Sequence, residues 1–422
     1  MQPTQKETNY LGPFLTMVFL FLLIGFLTTA NTQFQGPLQE TFLSQVGSMK
    51  NTLATLITFS WFLAYPIAGK FGADWSTKYG HKGTLIRGLV VMGVGLFLFY
   101  LSSLVTVKWP EAFIQWNDSL IPYGFFIFLL GSFVVGASAT ILQVVINPYL
   151  SACHIKGTQS VQRMAMGGTA NSIGTTIAPY FVTGVVFGGL QMTDINVSQL
   201  QIPFFTLAVV AFLILGLLLK LHLPTIESIT AEKDVKLERS IWSFSHLRLG
   251  VIAIFFYVGC EVCIGGNLNL YVLHDLNLPL ETTALMATLY WGGMLVGRLC
   301  GSSISKISPR TQLLFTTSAA SVLVILGMAF NNPWILVAVG LFHSIMWGCI
   351  FTLSVAQLGK YTSIASGVFM IGVVGGAIIP LLQGSLADMM GSWRWSWTLV
   401  LIGELCMFLY GLVGYKVKTK PE

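Results

Sequence analysis

Charge is what this chain has least of. Asp, Glu, Lys and Arg make up 9% of its 422 residues, where a soluble globular protein carries roughly 25%. A water-soluble chain of this length needs a polar shell, and these residues cannot supply one, so a soluble enzyme is excluded. The six cysteines, Cys153, Cys260, Cys263, Cys300, Cys349 and Cys406, are scattered and too few to staple a secreted scaffold. Cys260 and Cys263 have CxxC spacing, but on an apolar segment with no second pair, which reads as packing rather than as a metal or redox centre. No phosphate-cradling GxxxxGKS or GxxxxGKT segment is present, which removes the case for ATP-driven pumping. No nucleophile and base constellation stands out either. No enzyme activity, cofactor or metal is expected.

What the chain has instead is apolar length, with 54% hydrophobic residues. Runs long enough to cross a bilayer as helices lie near 13–35, 52–72, 84–106, 122–148, 163–188 and 202–222. Six more follow near 248–273, 282–304, 311–330, 334–357, 362–386 and 395–415. A span takes about 20 residues, so the expected fold is all-α, a polytopic membrane protein of twelve transmembrane helices. The short polar leader Met1 to Asn9 lacks a small-residue cleavage site, and the first run is read as a retained helix. Between the sixth and seventh runs lies a polar stretch, Pro224 to His246. It divides the chain into an N-terminal six-helix half (1–223), a cytoplasmic linker (224–247) and a C-terminal six-helix half (248–422).

Of the 22 Lys and Arg residues, all but Lys50, Lys108 and Arg394 fall into alternate loops on one side. The positive-inside rule makes that side cytoplasmic, with both termini there, in a cytoplasmic or inner membrane. The net charge of +6 follows from this bias, so it does not point to nucleic acid. Internal similarity supports two related halves: IGTTIAPYFVTG, with Gly174 and Pro179, is answered by VGGAIIPLLQG, with Gly375 and Pro380. The loop from Gly69 to Lys82 is answered by Gly297 to Lys306. Paired halves imply a transporter that rocks around a site at the membrane midplane.

The loop GKFGADWSTKYGHK, together with the two-half layout, resembles the major facilitator superfamily. There the loop pattern implies a cytoplasmic gating role for Gly69, Asp74, Lys78, Gly80, Lys82 and, in the matching loop, Arg298. Within the superfamily, five segments resemble the fucose:proton symporter family of sugar permeases. They are NTLATLITFSWFLAYPIAG (51–69), INPYL (146–150), ANSIGTTIAPY (170–180), FYVGCEVCIG (256–265) and GVVGGAIIPLLQG (372–384). The resemblance implies transport of a small neutral sugar, of the fucose, glucose, galactose or N-acetylated hexose type, by a monomer in the lipid bilayer. The competing reading is efflux or uptake of another metabolite or drug, including an acidic amino sugar, since a fold does not fix its substrate.

Polar side chains in the middle of a span are costly and tend to face a cavity or a partner helix. Asn31, Gln33 and Gln35 stand where Gly36 and Pro37 loosen the first helix, as substrate ligands or as a hydrated helix end. Gln143 and Asn147 are four apart on one face, and their amides can donate to and accept from sugar hydroxyls or serve the Pro148 kink. Asn171 sits among small residues that allow close helix approach, and Asn267 follows the seventh span outward, with Asn269 and Tyr271. Trp291, and Trp347 with His343 four before it, offer aromatic plates for the C–H faces of a sugar, or core filling. Trp393, Trp395 and Trp397 read as interfacial anchors.

Glu261 is the acid that interrupts the apolar seventh run. It is read as a proton carrier or a sugar ligand, or as a hydrogen-bonded structural acid. The family resemblance implies proton coupling through acids in the first and fourth spans, but those positions fall on Thr32 and Gln143 here. Coupling is therefore expected to run through Glu261, or else the chain is a facilitator.

Overall fold

The computed structural model describes residues 10–116, 119–188, 195–224, 239–303 and 307–418. Helix α1 (Leu11–Gln33) breaks at Phe34 and resumes as α2 (Gln35–Thr41). Pro37 stands in the first turn of α2, where its missing N–H leaves no helical bond unmade. Helix α3 (Lys50–Lys108) is two rods in one: the chain folds back at Gly80, whose φ of 68° is open to glycine with little strain. A short antiparallel hairpin follows, β1 (Phe113–Trp116) on β2 (Ser119–Pro122), with Ile114 opposite Ile121. The all-α expectation did not include it. Helices α4 (Tyr123–Ala152), α5 (Ser160–Phe181) and α6 (Gln201–Lys220) complete the first half.

The second half begins with α7 (Ser245–Val262), which runs through wide π turns and α8 (Leu268–Leu270) to Asp275. Then come α9 (Leu280–Ser303), α10 (Pro309–Phe330) and the pair α11 (Pro333–His343) and α12 (Met346–Ser354), bent by 42°. Helices α13 (Thr362–Phe369), α14 (Gly375–Met390) and α15 (Thr398–Leu409) close the chain. Among the described residues, eight segments are long and apolar enough to cross a bilayer singly, and the bent pair makes a ninth. Folding α3 at Gly80 and adding α5 and α9, which carry more polar residues, gives the expected twelve rods.

Each half is held by close backbone approaches at the repeated glycines. Gly174 of α5 lies against the Leu22 carbonyl of α1, and Gly375 of α14 lies against the Phe255 carbonyl of α7. A Cβ at either position overlaps main chain, so the repeat seen in sequence marks the same contact twice. Around Phe34 the rings of Phe99, Phe128, Phe187 and Phe204 meet edge to face, filling the first half with aromatic contacts worth about 0.5–1.5 kcal/mol each beyond burial. Between halves, α3 packs on α14 and α5 packs on α9.

Basic side chains at the linker end satisfy helix C-termini, where carbonyls lack intrahelical partners. Lys82 donates to Leu219 O and Leu221 O at 2.9 and 2.7 Å, and Arg163 donates to Leu150 O and Ser151 O. The charge bias used to orient the chain thus also ties loops to helix ends. Most of the linker, 225–238, lies outside the described residues. Of the three tryptophans near Arg394, only Trp395 is exposed; Trp393 and Trp397 are buried, so two of the expected interfacial anchors are core.

Candidate functional site

A cavity of about 910 Å³ lies between the halves, within the volume range of small-molecule pockets. Thr28, Thr29, Thr32, Tyr65, Gln143, Asn147, Asn171 and Thr175 line it from the first half. Tyr257, Glu261, Trp291, Arg298, Ser344 and Trp347 line it from the second. Met164, Pro309, Gln312 and Ser366, at the linker ends of their helices, also border it, so the cavity reaches the linker end of the bundle.

The opposite end is shut. The Asp388 carboxylate of α14 accepts hydrogen bonds from Asn51 N, Thr52 N and Thr52 Oγ1 at 3.1, 2.7 and 2.6 Å. An acid from one half thereby caps the positive end of a helix in the other. Deeper in, Asn269 donates to Gln33 Oε1 at 2.6 Å and Gln33 donates to Gly265 O at 3.1 Å. Gly384 allows α14 to sit on Thr55 of α3, where a Cβ lies 2.7 Å from the hydroxyl. The halves are splayed at the linker end and clasped at the other.

The predicted residues divide accordingly. Gln143, Asn147, Asn171, Trp291, Trp347 and Glu261 line the cavity. Gln143 donates to Tyr65 Oη at 3.0 Å, which fixes its amide, and Asn171 donates to Phe21 O at 3.0 Å. Trp347 stands edge-on to Tyr257 and Phe369. Trp291 rests on Gly265, where any Cβ meets the indole ring, and its Nε1 is buried without a hydrogen-bond partner among the described residues. An indole N–H left in that state costs free energy unless a ligand or water accepts from it.

Asn31, Gln33, Gln35, Asn267 and His343 stand outside the lining. Asn31 donates to Ile57 O at 3.3 Å and accepts from Ser132, and Gln35 donates to Thr58 Oγ1 at 2.6 Å. Asn267 donates to Pro380 O and Gln383 Oε1. These amides tie helices together, as does Tyr271, whose hydroxyl donates to Asn331. In the loop at Gly80, Lys78 and Arg87 both lie over the Tyr79 ring, and Lys82 caps α6 as described. Gly69 and Asp74 lie on α3 near that turn. Arg298 is not a loop residue but reaches the cavity. It lies 4.0 Å from Glu261, and its guanidinium donates to Ser172 of the other half and to Ser344 O.

Behind the cavity wall is a residue sequence reasoning missed. Glu404 of α15 is fully buried and its Oε1 lies 2.6 Å from His343 Nε2. The signal was available, because Glu404 interrupts the apolar stretch TLVLIGELCMFL as Glu261 interrupts its own. Glu261 is therefore not the only acid deep within a span. Tyr65 and Tyr257, also missed, sit in apolar runs where an aromatic reads equally well as core.

The major facilitator superfamily model matches residues 11–374. A glucose/galactose transporter of Brucella abortus is 31% identical over 98% of this chain and 96% of its own length. The L-fucose-proton symporter of Escherichia coli is 25% identical over 95% of this chain and 92% of its own. The chain belongs to the major facilitator superfamily, in its fucose:proton symporter family. It is a multi-pass inner-membrane transporter and not an enzyme. A crystal structure of the Escherichia coli fucose:proton symporter superposes with a TM-score of 0.65 at 20% identity, covering 96% of this chain and 99% of that one, which establishes the shared two-half fold. Set against the family's pattern, Thr32 and Gln143 both line the cavity and neither is an acid. Among the described lining residues the charged pair is Glu261 and Arg298.

Proposed function

We propose that this chain is a secondary transporter that carries a small neutral sugar across the inner membrane by alternating access. The observation that carries the reading is the cavity between the halves: amides and hydroxyls on one wall, Trp291, Trp347 and Tyr257 on the other, and the ion pair of Glu261 with Arg298. Amides match sugar hydroxyls as both donors and acceptors, and aromatic faces match the ring C–H surface. A lipophilic cation favours unpaired acids, and an acidic sugar favours unpaired bases. Arg298 is engaged by Glu261 and Ser172, and Arg163 caps α4 away from the cavity. The similarity to glucose/galactose and fucose-proton carriers supports the same substrate class.

With the linker and both termini in the cytoplasm, as the Lys and Arg bias supports, the clasped end faces outward and the cavity opens inward. Transport is then the rocking of 1–223 against 248–422 about the linker 224–247, by one copy of the chain, with coupling to a proton through Glu261. A thermal-shift screen of neutral monosaccharides tests the assignment. Ligand at a hundredfold excess over its dissociation constant stabilises the binding state by about 2.7 kcal/mol. Stabilisation by a hexose supports the reading; stabilisation by lipophilic cations and by no sugar overturns it.

A further inference from the structure

Resting on the reading of a proton-coupled sugar carrier, we infer that the buried pair His343 and Glu404 is the proton-binding site, and that Tyr290 and Tyr257 report its state to Glu261 in the cavity. The Tyr290 hydroxyl lies 2.8 Å from His343 Nδ1 and 3.2 Å from Glu261 O. It has one proton for two neighbours. When His343 carries no proton on Nδ1, Tyr290 donates to that nitrogen and its contact with Glu261 O is not a hydrogen bond. When Nδ1 is protonated, it donates to the Tyr290 oxygen, and Tyr290 turns its own proton to Glu261 O.

Tyr257 presents the same choice. Its hydroxyl lies 3.1 Å from Glu261 Oε1 and 3.1 Å from His343 O. Anything in the cavity that draws on the Glu261 carboxylate frees Tyr257 to donate to the main chain of His343. The two tyrosines thus join the side chain of each acid-bearing site to the backbone of the other. Main-chain carbonyls do not pass protons onward, so the arrangement senses protonation and does not conduct it.

The proton balance of the pair is simple. One proton taken from solution converts neutral histidine beside carboxylate, net −1, into a net-neutral pair, held as imidazolium with carboxylate or as imidazole with carboxylic acid. Without that proton the buried negative charge is uncompensated, which is costly. Glu404 Oε2 is buried with no hydrogen-bond partner among the described residues, which sharpens the cost of the net −1 state. Other titratable groups packed around the pair are Tyr257, Cys260 and Glu261 on α7, Tyr290 and Arg298 on α9 and Cys406 on α15. Arg298 is the cation among them, and it is turned to Glu261 and Ser172. Sugar and proton are then linked reciprocally: if sugar changes proton binding, pH changes sugar affinity by the same factor.

The test uses the full chain in detergent and in proteoliposomes with a neutral hexose identified by the thermal-shift screen. Sugar added to unbuffered wild-type protein is expected to change the proton count, read with a pH dye, and to alter the Glu404 band, carboxyl or carboxylate, in an infrared difference spectrum. Glu404→Gln is expected to remove that band and the proton change while the protein still binds labelled sugar. Tyr290→Phe, a positioning variant, is expected to keep the band but lose its response to sugar. His343→Asn gives the same loss of proton change by removing the other partner, and serves if Glu404→Gln does not assemble. Sugar counterflow by the wild type with no proton change overturns this inference and leaves the sugar carrier standing. A proton change in Glu404→Gln or His343→Asn equal to that of wild type also overturns it. No sugar binding by wild type at all is instead a failure of the sugar-carrier reading itself.

Discussion

Asp388 and Thr52 belong to different halves, and the carboxylate of the first accepts from both the backbone N–H and the hydroxyl of the second. With Asn51 N as a third donor, this contact locks the end of the bundle away from the linker. Asp388→Asn keeps the shape and removes the charge, at about 1.5–3 kcal/mol for a hydrogen bond to a charged group. The expected outcome is a larger share of molecules open at that end. Spin labels on Glu40→Cys and Met389→Cys, in a background free of native cysteine, report it as a longer distance component. An unchanged distance distribution shows that the clasp does not hold the state.

Glu261→Gln removes the acid that faces Arg298 and accepts from Tyr257. Accumulation of sugar against its gradient is expected to collapse to equilibration, sensitive no longer to a protonophore, while exchange of labelled sugar persists. Uptake in energised vesicles with and without the protonophore is the measurement. Because Glu404 is untouched, the infrared carboxyl band stays but ceases to respond to sugar, which separates this variant from Glu404→Gln. Accumulation equal to wild type contradicts a coupling role for Glu261.

Gln143 is oriented by the Tyr65 hydroxyl at 3.0 Å. Gln143→Ala removes a donor and an acceptor from the cavity wall, and sugar affinity is expected to fall on the order of tenfold, as for loss of one or two hydrogen bonds at about 1 kcal/mol each. Tyr65→Phe leaves the amide in place but unoriented, so a smaller loss is expected. Equilibrium binding of labelled sugar checks both. Equal affinities in all three proteins place the sugar elsewhere.

Gly174 and Gly375 seat the Leu22 and Phe255 carbonyls. Alanine at either position forces the helices apart and is expected to destabilise by about 1–3 kcal/mol or more. Gly184 and Gly348, with nothing within 4 Å of an added Cβ, serve as controls, and alanine there is expected to lie near wild type. Thermal unfolding in detergent distinguishes the pairs.

Much of this architecture is legible in the residues. The apolar runs place the rods because hydrocarbon demands that each backbone be satisfied within its own segment, and the Gly174 and Gly375 repeat marks a real contact. The site is only partly legible. Mid-span amides are polar for two physical reasons, ligand binding and helix bonding, and sequence does not separate them: Gln143 lines the cavity, whereas Gln35 four residues past Asn31 bonds Thr58. Trp393 and Trp397 look like membrane anchors by position, yet packing buries them. Glu404 was open to view, and its pairing with His343 depended on how α15 meets α11, a tertiary contact that no local pattern encodes.

A neutral sugar is expected to cross this protein through the cavity between its halves. Counterflow measures that most directly: proteoliposomes loaded with unlabelled glucose or galactose are diluted into a trace of the labelled sugar, with no ion gradient. A transient overshoot of label inside, abolished by a disulfide between Thr52→Cys and Ser385→Cys, whose hydroxyls lie 3.3 Å apart across the clasped end, is the predicted result. No overshoot with any neutral hexose, from protein that is folded and inserted, contradicts it.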